Sequence, residues 1–114
     1  AAEVAKFENS VDSKYGVTEP VSDFILNDIF YRANQQKSAA VATDVLDNMI
    51  NDIGLRKRGV FGANFAVLRG SKSPSILVEI GFISNSGDMS YFGNDYYKRV
   101  VAKSIAEGVR KHFY

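Results

Sequence analysis

The spacing of apolar residues predicts helices over most of the chain. Residues 2–10 carry an apolar stripe at Val4 and Phe7, and residues 21–34 repeat apolar side chains at near-helical spacing. A connection punctuated by glycine and proline separates these two segments. Because the apolar face of the second helix is wide, we expect it to pack inside this domain or on a partner.

A third helix is predicted over residues 38–53, with Ser38 as its N-cap and Gly54 as the residue that ends it. The polar residues 34–37 are expected to interrupt the helical structure before this helix begins. The apolar stripe of the third helix consists of Val41, Val45, Leu46, Met49, Ile50 and Ile53.

Two short apolar runs, residues 65–68 and residues 76–78, predict strands. The link between them is too short for a helical crossover, so neighbouring strands would be antiparallel. Residues 86–93 predict a short helical turn, and residues 95–112 predict a last helix capped by Asn94. Since two strands do not make an independently stable sheet, we expect part of the domain to lie upstream of this chain.

Glu79 is the strongest candidate for chemistry. It follows the second predicted strand, and charged residues at the carboxyl ends of strands often belong to active sites in α/β sheets. In one interpretation Glu79 is a general base or acid in a cleft. In the other it forms a structural ion pair with Arg69 or Lys72.

Two further residues have more than one interpretation. Arg69 could bind an anionic substrate group or serve as an ion-pair partner, and its position alone favours the ion pair. His112 is the only histidine and has no second ligand one helical turn away, so it is predicted to be a helix-end histidine rather than a metal ligand.

Composition narrows the classes of function. The chain of 114 residues is 46% hydrophobic, which suits one globular domain. Fourteen basic against thirteen acidic residues give a net charge of +1, which argues against a general nucleic-acid binder. The absence of cysteine excludes disulfides, thiolate zinc sites and cysteine nucleophiles. No apolar run approaches the roughly 20 residues of a membrane-spanning helix.

The segments around Glu79 resemble a known family. Residues 65–69 (FAVLR) and 74–85 (PSILVEIGFISN), followed by Asp88, are similar to the C-terminal half of zinc-dependent N-acetylmuramoyl-L-alanine amidases of the amidase-3 type. The tail, with Tyr96-Tyr97-Lys98 and residues 102–109 (AKSIAEGV), resembles the closing helix of that family. The most specific part of the resemblance is residues 77–85.

The resemblance implies an α/β fold, with helices packed on a mostly parallel sheet of the phosphorylase/hydrolase-like type. Residues 1–114 would be the C-terminal part of one catalytic domain. The implied reaction is hydrolysis of the amide between N-acetylmuramic acid and L-alanine in peptidoglycan, with zinc as cofactor and Glu79 as general base and acid. The zinc ligands of this family are two histidines and a glutamate in the N-terminal half, so they are expected upstream of Ala1.

The resemblance also implies a location and partners. Peptidoglycan as substrate implies a periplasmic, secreted or cell-wall protein. Residues 8–37 are similar to an inserted regulatory segment that covers the zinc site until an activator protein displaces it. Glu19, Asp23 or Asp28 could then contact the metal, whereas in the alternative interpretation the segment is an ordinary packing helix.

Two other functions remain open at this point. The chain could be a degenerate or truncated amidase-like module that binds peptidoglycan or an activator protein without cleaving it. It could also be a plain structural α/β domain, which an exposed, ion-paired Glu79 far from any cleft would favour.

Overall fold

A computed structural model describes residues 2–14, 21–54, 59–60, 62 and 66–113 of the chain. In these ranges every regular element is an α-helix. The elements in chain order are α1 (Ala2–Lys14), α2 (Val21–Ile53), α3 (Ala66–Arg69), α4 (Ser86–Phe92) and α5 (Asp95–Phe113). Among these described helices, none combines the length and the hydropathy that crossing a membrane requires.

The predicted α/β fold, with helices on a mostly parallel sheet, is wrong for the part of the chain that the structure describes. The first predicted strand overlaps α3, although Phe65 lies outside the described residues. The second, residues 76–78, has no regular secondary structure, and its Leu77 is exposed rather than buried. An apolar run becomes a strand only when a neighbouring strand accepts its backbone hydrogen bonds, and no described residue supplies that partner.

The predicted break at residues 34–37 is also wrong, because α2 continues through it. Neither glycine nor proline occurs in α2, and glutamine and lysine are good helix formers. The side-chain amide of Asn34 donates to the Phe30 carbonyl of the same helix at 3.0 Å. Polarity alone therefore did not end this helix.

Ser38 lies inside α2 instead of capping a new helix. Its Oγ accepts the backbone N–H of Ser75 at 2.9 Å. Nearby, the Asn34 amide also donates to the Lys72 carbonyl at 3.1 Å. These two polar side chains hold residues 72–75, which lack regular structure, against α2.

The chain divides into two compact units. The first comprises Ala1–Ala39 and Phe61–Leu77, and in it α1 lies against α3. Ala5 of α1 is buried, whereas Phe7 is 67% exposed. The apolar stripe predicted for α1 is thus only partly buried, because Phe7, a large residue of that stripe, faces solvent.

The second unit comprises Ala40–Val60 and Val78–Tyr114. Its core includes Val41, Val45 and Met49, which recur every four residues on α2 and form one buried stripe. From α5 it includes Val101 and Gly108. The stripe predicted for residues 38–53 is therefore confirmed at its three most buried positions.

At Gly108, α5 approaches α2 closely. A Cβ atom added to Gly108 would lie 2.7 Å from the Cα of Val45 and 2.9 Å from its backbone nitrogen. Atoms that are not bonded do not approach so closely, so only glycine allows this contact. Glycine is required at position 108 because α2 lies so close, and not because of the backbone angles of Gly108 itself.

Polar contacts join the same two helices beside the buried stripe. Lys111 Nζ donates to Asn48 Oδ1 at 2.8 Å, and His112 Nε2 lies 2.6 Å from Asp44 Oδ2. The fully buried Ser104 donates through Oγ to Asp52. The prediction that His112 is a helix-end residue is consistent with this contact, which ties the last turn of α5 to α2.

Two of the predicted helix ends, at Gly54 and at Asn94, are confirmed. Asn94 Oδ1 accepts the N–H of Tyr97 at 3.2 Å and so caps α5. Gly54 follows α2 with φ of +72°, a conformation that glycine adopts without strain, and its N–H donates to Ile50 at 2.8 Å. These are local interactions, which is why the sequence predicts them correctly.

Candidate active site

Glu79 lies in the irregular segment between α3 and α4, in the second unit. Its side chain is exposed. Within the described ranges, no residue forms a hydrogen bond or an ion pair with its carboxylate. The structural ion pair considered as an alternative role is therefore not seen among the described residues.

Two residues after Glu79, the chain passes close to α4 at Gly81. Gly81 has φ of +154°, which is unfavourable for any residue with a Cβ atom. A Cβ at this position would lie 2.9 Å from the Phe92 ring and 3.2 Å from Asp88 Cβ. Both the backbone angle and the close approach therefore require glycine.

The Phe82–Asp88 loop leads from Gly81 into the first turn of α4 and is closed by four hydrogen bonds. Asp88 Oδ2 accepts the N–H of Phe82 at 2.9 Å, and Asn85 Oδ1 accepts the N–H of Asp88 at 3.0 Å. The N–H of Asn85 donates to the Phe82 carbonyl at 3.0 Å, and the N–H of Met89 donates to the Asn85 carbonyl at 3.0 Å. The loop is thus tied to the N-terminus of α4 through both side chains and backbone.

Three aromatic side chains of α4 and α5 pack against one another. The rings of Tyr91 and Tyr97 are 5.2 Å apart, and the rings of Phe92 and Tyr97 meet edge to face at 5.6 Å. Burial raises the pKa of Tyr97 above its ordinary value of 10.0, and the nearby charges of Tyr91 and Asp88 raise it further. These contacts join α4 to α5.

The raised pKa of Tyr97 predicts a loss of stability in alkali. Above pH 10.0 the unfolded chain releases the Tyr97 proton before the folded chain does, so the free energy of unfolding falls as pH rises. In urea unfolding at increasing pH, Tyr97→Phe should show a smaller alkaline loss than the parent protein. Tyr96→Phe, at an exposed position of the same helix, is the control and should keep the parental loss. Equal losses in the parent and in Tyr97→Phe would contradict the prediction.

The other predicted site residues are not brought to Glu79 by any described contact. Arg69 ends α3 in the first unit and is half-buried, and its substrate-binding role stays a prediction. Asp28 pairs with Arg32 one turn along α2, at 2.8 Å. Glu19 lies outside the described residues, and Asp23 has a described helical backbone but no described side chain.

A metal centre is not formed by the residues that the structure describes. In these ranges no group of three or more histidine, cysteine, aspartate or glutamate side chains could hold a metal ion. The described side chains therefore do not supply a zinc site by themselves.

One structural role was missed in the sequence. The sequence indicates Asp88 only as part of the family motif. In the structure, its carboxylate accepts a hydrogen bond from the backbone N–H of Phe82, three residues after Glu79. The available signal was the spacing of Asn85 and Asp88, which is that of an N-cap residue and the third helical residue of a capping box.

Comparison with known proteins identifies the family. Residues 26–111 match the family model of amidase-3, N-acetylmuramoyl-L-alanine amidase. The chain is 36% identical over 110 residues to N-acetylmuramoyl-L-alanine amidase AmiC of Neisseria meningitidis, covering 92% of this chain and 26% of AmiC. It is 35% identical over 86 residues to N-acetylmuramoyl-L-alanine amidase LytC of Bacillus subtilis, covering 75% of this chain and 17% of LytC.

A third relative is the uncharacterized protein YqiI of Bacillus subtilis, 32% identical over 78 residues that cover 68% of this chain and 38% of YqiI. The chain thus spans well under half the length of each of these relatives. No solved structure matches it. The family match covers most of the chain, including Glu79 and the Phe82–Asp88 loop. This chain therefore belongs to the amidase-3 family of N-acetylmuramoyl-L-alanine amidases.

Proposed function

We propose that this chain is part of a peptidoglycan amidase and supplies Glu79 as its general base and acid. The reaction is hydrolysis of the amide between N-acetylmuramic acid and L-alanine. The observation that supports this role is the exposed carboxylate of Glu79, which no described residue pairs, inside the region that matches the family. The similarity to AmiC and LytC, both named N-acetylmuramoyl-L-alanine amidases, supports the choice of substrate.

In this proposal Glu79 handles one proton twice. Its carboxylate takes a proton from the water that attacks the amide carbonyl. The same proton then passes to the leaving nitrogen of L-alanine as the C–N bond breaks, which returns Glu79 to its ionised form. Such transfers require Glu79 to lie within about 3 Å of the water and of the departing amine.

The proposal includes zinc as the cofactor, held by ligands upstream of Ala1. A bound zinc ion polarises the carbonyl and makes its water more acidic. Because peptidoglycan lies outside the cytoplasmic membrane, the protein would act in the cell wall, as a periplasmic or secreted enzyme. LytH of Staphylococcus aureus, a relative that is 33% identical over 85 residues and is named a probable cell wall amidase, supports this location.

The direct test compares this chain with a version extended upstream to include the proposed zinc ligands. Metal analysis should find zinc in the extended version, and chromatography of digested muropeptides should find a free stem peptide only with that version. If the extended version binds zinc but does not cleave, the enzyme proposal fails. The non-catalytic alternative would then be favoured, and co-sedimentation of this chain with purified peptidoglycan would test it.

We also propose that residues 8–37 regulate the site and bind an activator protein. In this segment the first part of α2 exposes Ile25, Leu26 and Ile29, whose side chains are 57%, 49% and 57% exposed. These residues share a helix surface that a protein partner could cover. Asp28 beside them would have to leave its Arg32 partner before it could approach a metal.

Removal of residues 17–34 from the full-length protein should raise its basal amidase activity if the segment inhibits. The physical reason is that a covering helix must be displaced before substrate can enter. Muropeptide release measured without activator is the readout. Ile25→Ser with Ile29→Ser is the control for the activator surface and should lower only the response to activator. Unchanged or lower basal activity after the deletion would refute inhibition.

A further inference from the structure

We propose that Asp88 is a positioning residue that orients Glu79 through the backbone. This inference rests on the proposed role of Glu79 and adds a second residue to the same site. Asp88 does not contact substrate in this view. It determines where the peptide segment that carries Glu79 runs.

The argument begins with the freedom of Glu79. Its carboxylate has no described partner, so no side-chain interaction in the described part of the chain fixes its direction. The neighbouring Ile80 is exposed as well. The orientation of Glu79 therefore depends on its own backbone and on the points at which that backbone is held.

The first such point after Glu79 is the contact of Gly81 and Phe82 with α4. Gly81 lies so close to Asp88 and Phe92 that no Cβ would fit, and the N–H of Phe82 donates to Asp88 Oδ2 at 2.9 Å. Asp88 in turn belongs to the first turn of α4, where its own N–H donates to Asn85. The side chain of Asp88 thus links the backbone three residues after Glu79 to a helix.

The chemistry of this link makes a specific demand on position 88. The side chain must accept a hydrogen bond from an amide at a short reach from the helix. Asparagine can supply the same acceptor through its Oδ1 atom, whereas alanine has none and glutamate places its oxygens one methylene farther away. A purely electrostatic role, such as stabilising the helix N-terminus, would depend on the negative charge instead. Asparagine therefore separates the two roles.

The expected effect is on catalysis rather than on substrate binding. Small misplacements of a catalytic group cost up to about 100-fold in rate. In the full-length protein, Asp88→Ala should lower kcat on soluble muropeptides by about 10-fold to 100-fold while KM changes little. Asp88→Asn should keep most of the kcat, and Asp88→Glu should fall between the two.

A second readout does not depend on activity. Hydrogen exchange of the Phe82 amide, measured by NMR on this chain, should be faster in Asp88→Ala and near the parental rate in Asp88→Asn. Asp95→Ala is the matched control, since Asp95 also lies in the first turn of a helix but forms its ion pair with Lys98 of the same helix, at 3.3 Å. It should change neither kcat nor exchange at Phe82.

The outcomes separate this inference from the proposed function. If Glu79→Gln is inactive and Asp88→Ala keeps the parental kcat, the positioning role is refuted and the role of Glu79 stands. If Asp88→Asn is as slow as Asp88→Ala, the charge matters and not the hydrogen bond, which also refutes it. If Glu79→Gln keeps parental turnover, the proposed function itself fails. If Asp88→Ala does not fold, the other two variants test the positioning role. A kcat near the parental value for Asp88→Asn and a lower one for Asp88→Glu would support it, and the reverse order would refute it.

Discussion

Glu79→Gln in the full-length protein is expected to abolish hydrolysis of muropeptides while the protein still folds and binds zinc. Glutamine has nearly the same shape as glutamate but cannot take up a proton from water. A general base and acid contributes about 10²-fold to 10⁴-fold in rate, so kcat should fall at least by this range. Because the Glu79 side chain is exposed, the substitution creates no buried polar group and should not destabilise the fold.

The measurement is the rate of stem-peptide release, normalised to folded, zinc-loaded protein. Glu107→Gln is the matched control, since Glu107 is exposed and forms a long ion pair with Lys103 of the same helix, at 3.9 Å. Glu107→Gln should retain parental activity. Retained turnover in Glu79→Gln would contradict the assignment of Glu79, and loss of zinc together with activity would indicate a ligand rather than a base.

Gly108→Ala is expected to lower the free energy of unfolding, although alanine is the better helix former. The new Cβ would lie 2.7 Å from Val45 Cα and 2.8 Å from Val45 Cγ2. Two of its nearest neighbours are backbone atoms, so α2 and α5 would have to move apart. Overpacking of this kind costs about 1–3 kcal/mol, which exceeds the gain of about 1 kcal/mol from replacing glycine in a helix.

Urea unfolding followed by circular dichroism measures this effect as a shift of the midpoint at constant slope. Ala106→Gly is the control, because Ala106 is exposed on the same helix and reports helix propensity alone. Val45→Ala combined with Gly108→Ala should recover only part of the loss, since the Val45 backbone remains in place. An unchanged or higher midpoint for Gly108→Ala would show that the two helices can separate at no cost.

Gly81 and Gly108 are both required to be glycine, but for different physical reasons. Gly81 has a positive φ and a short contact with α4, and it lies two residues from Glu79. Gly108 is an ordinary helical residue that only the partner helix makes irreplaceable. The first shapes the segment that carries the proposed catalytic residue, and the second sets the spacing of the helices in the same unit.

Local features of the described chain were predictable from the sequence. The stripe of Val41, Val45 and Met49 follows from helical periodicity, and it is buried as predicted. The predicted cap Asn94 acts within three residues of its partner, Tyr97. Family membership also follows from the sequence, because the motif around Glu79 is contiguous and does not depend on the fold around it.

Features that depend on distant partners were not predictable. Residues 76–78 have the composition of a strand, but a strand exists only where another strand pairs with it. Serine is a favoured helix-cap residue, but Ser38 lies in the middle of α2. Its hydroxyl accepts a hydrogen bond from the backbone N–H of Ser75. In both cases a local preference was overridden by the presence or absence of a hydrogen-bond partner far along the chain.

For this protein, then, the sequence by itself determined the family, the candidate Glu79, the helix ends at Gly54 and Asn94, and the buried stripe of α2. Each of these depends on residues that are close together in the chain. Only the tertiary structure decided that Gly108 must be glycine and that Asp88 holds the backbone beyond Glu79. The physical reason is that steric exclusion and hydrogen bonding act over a few ångströms in space, whatever the separation of the two residues in sequence.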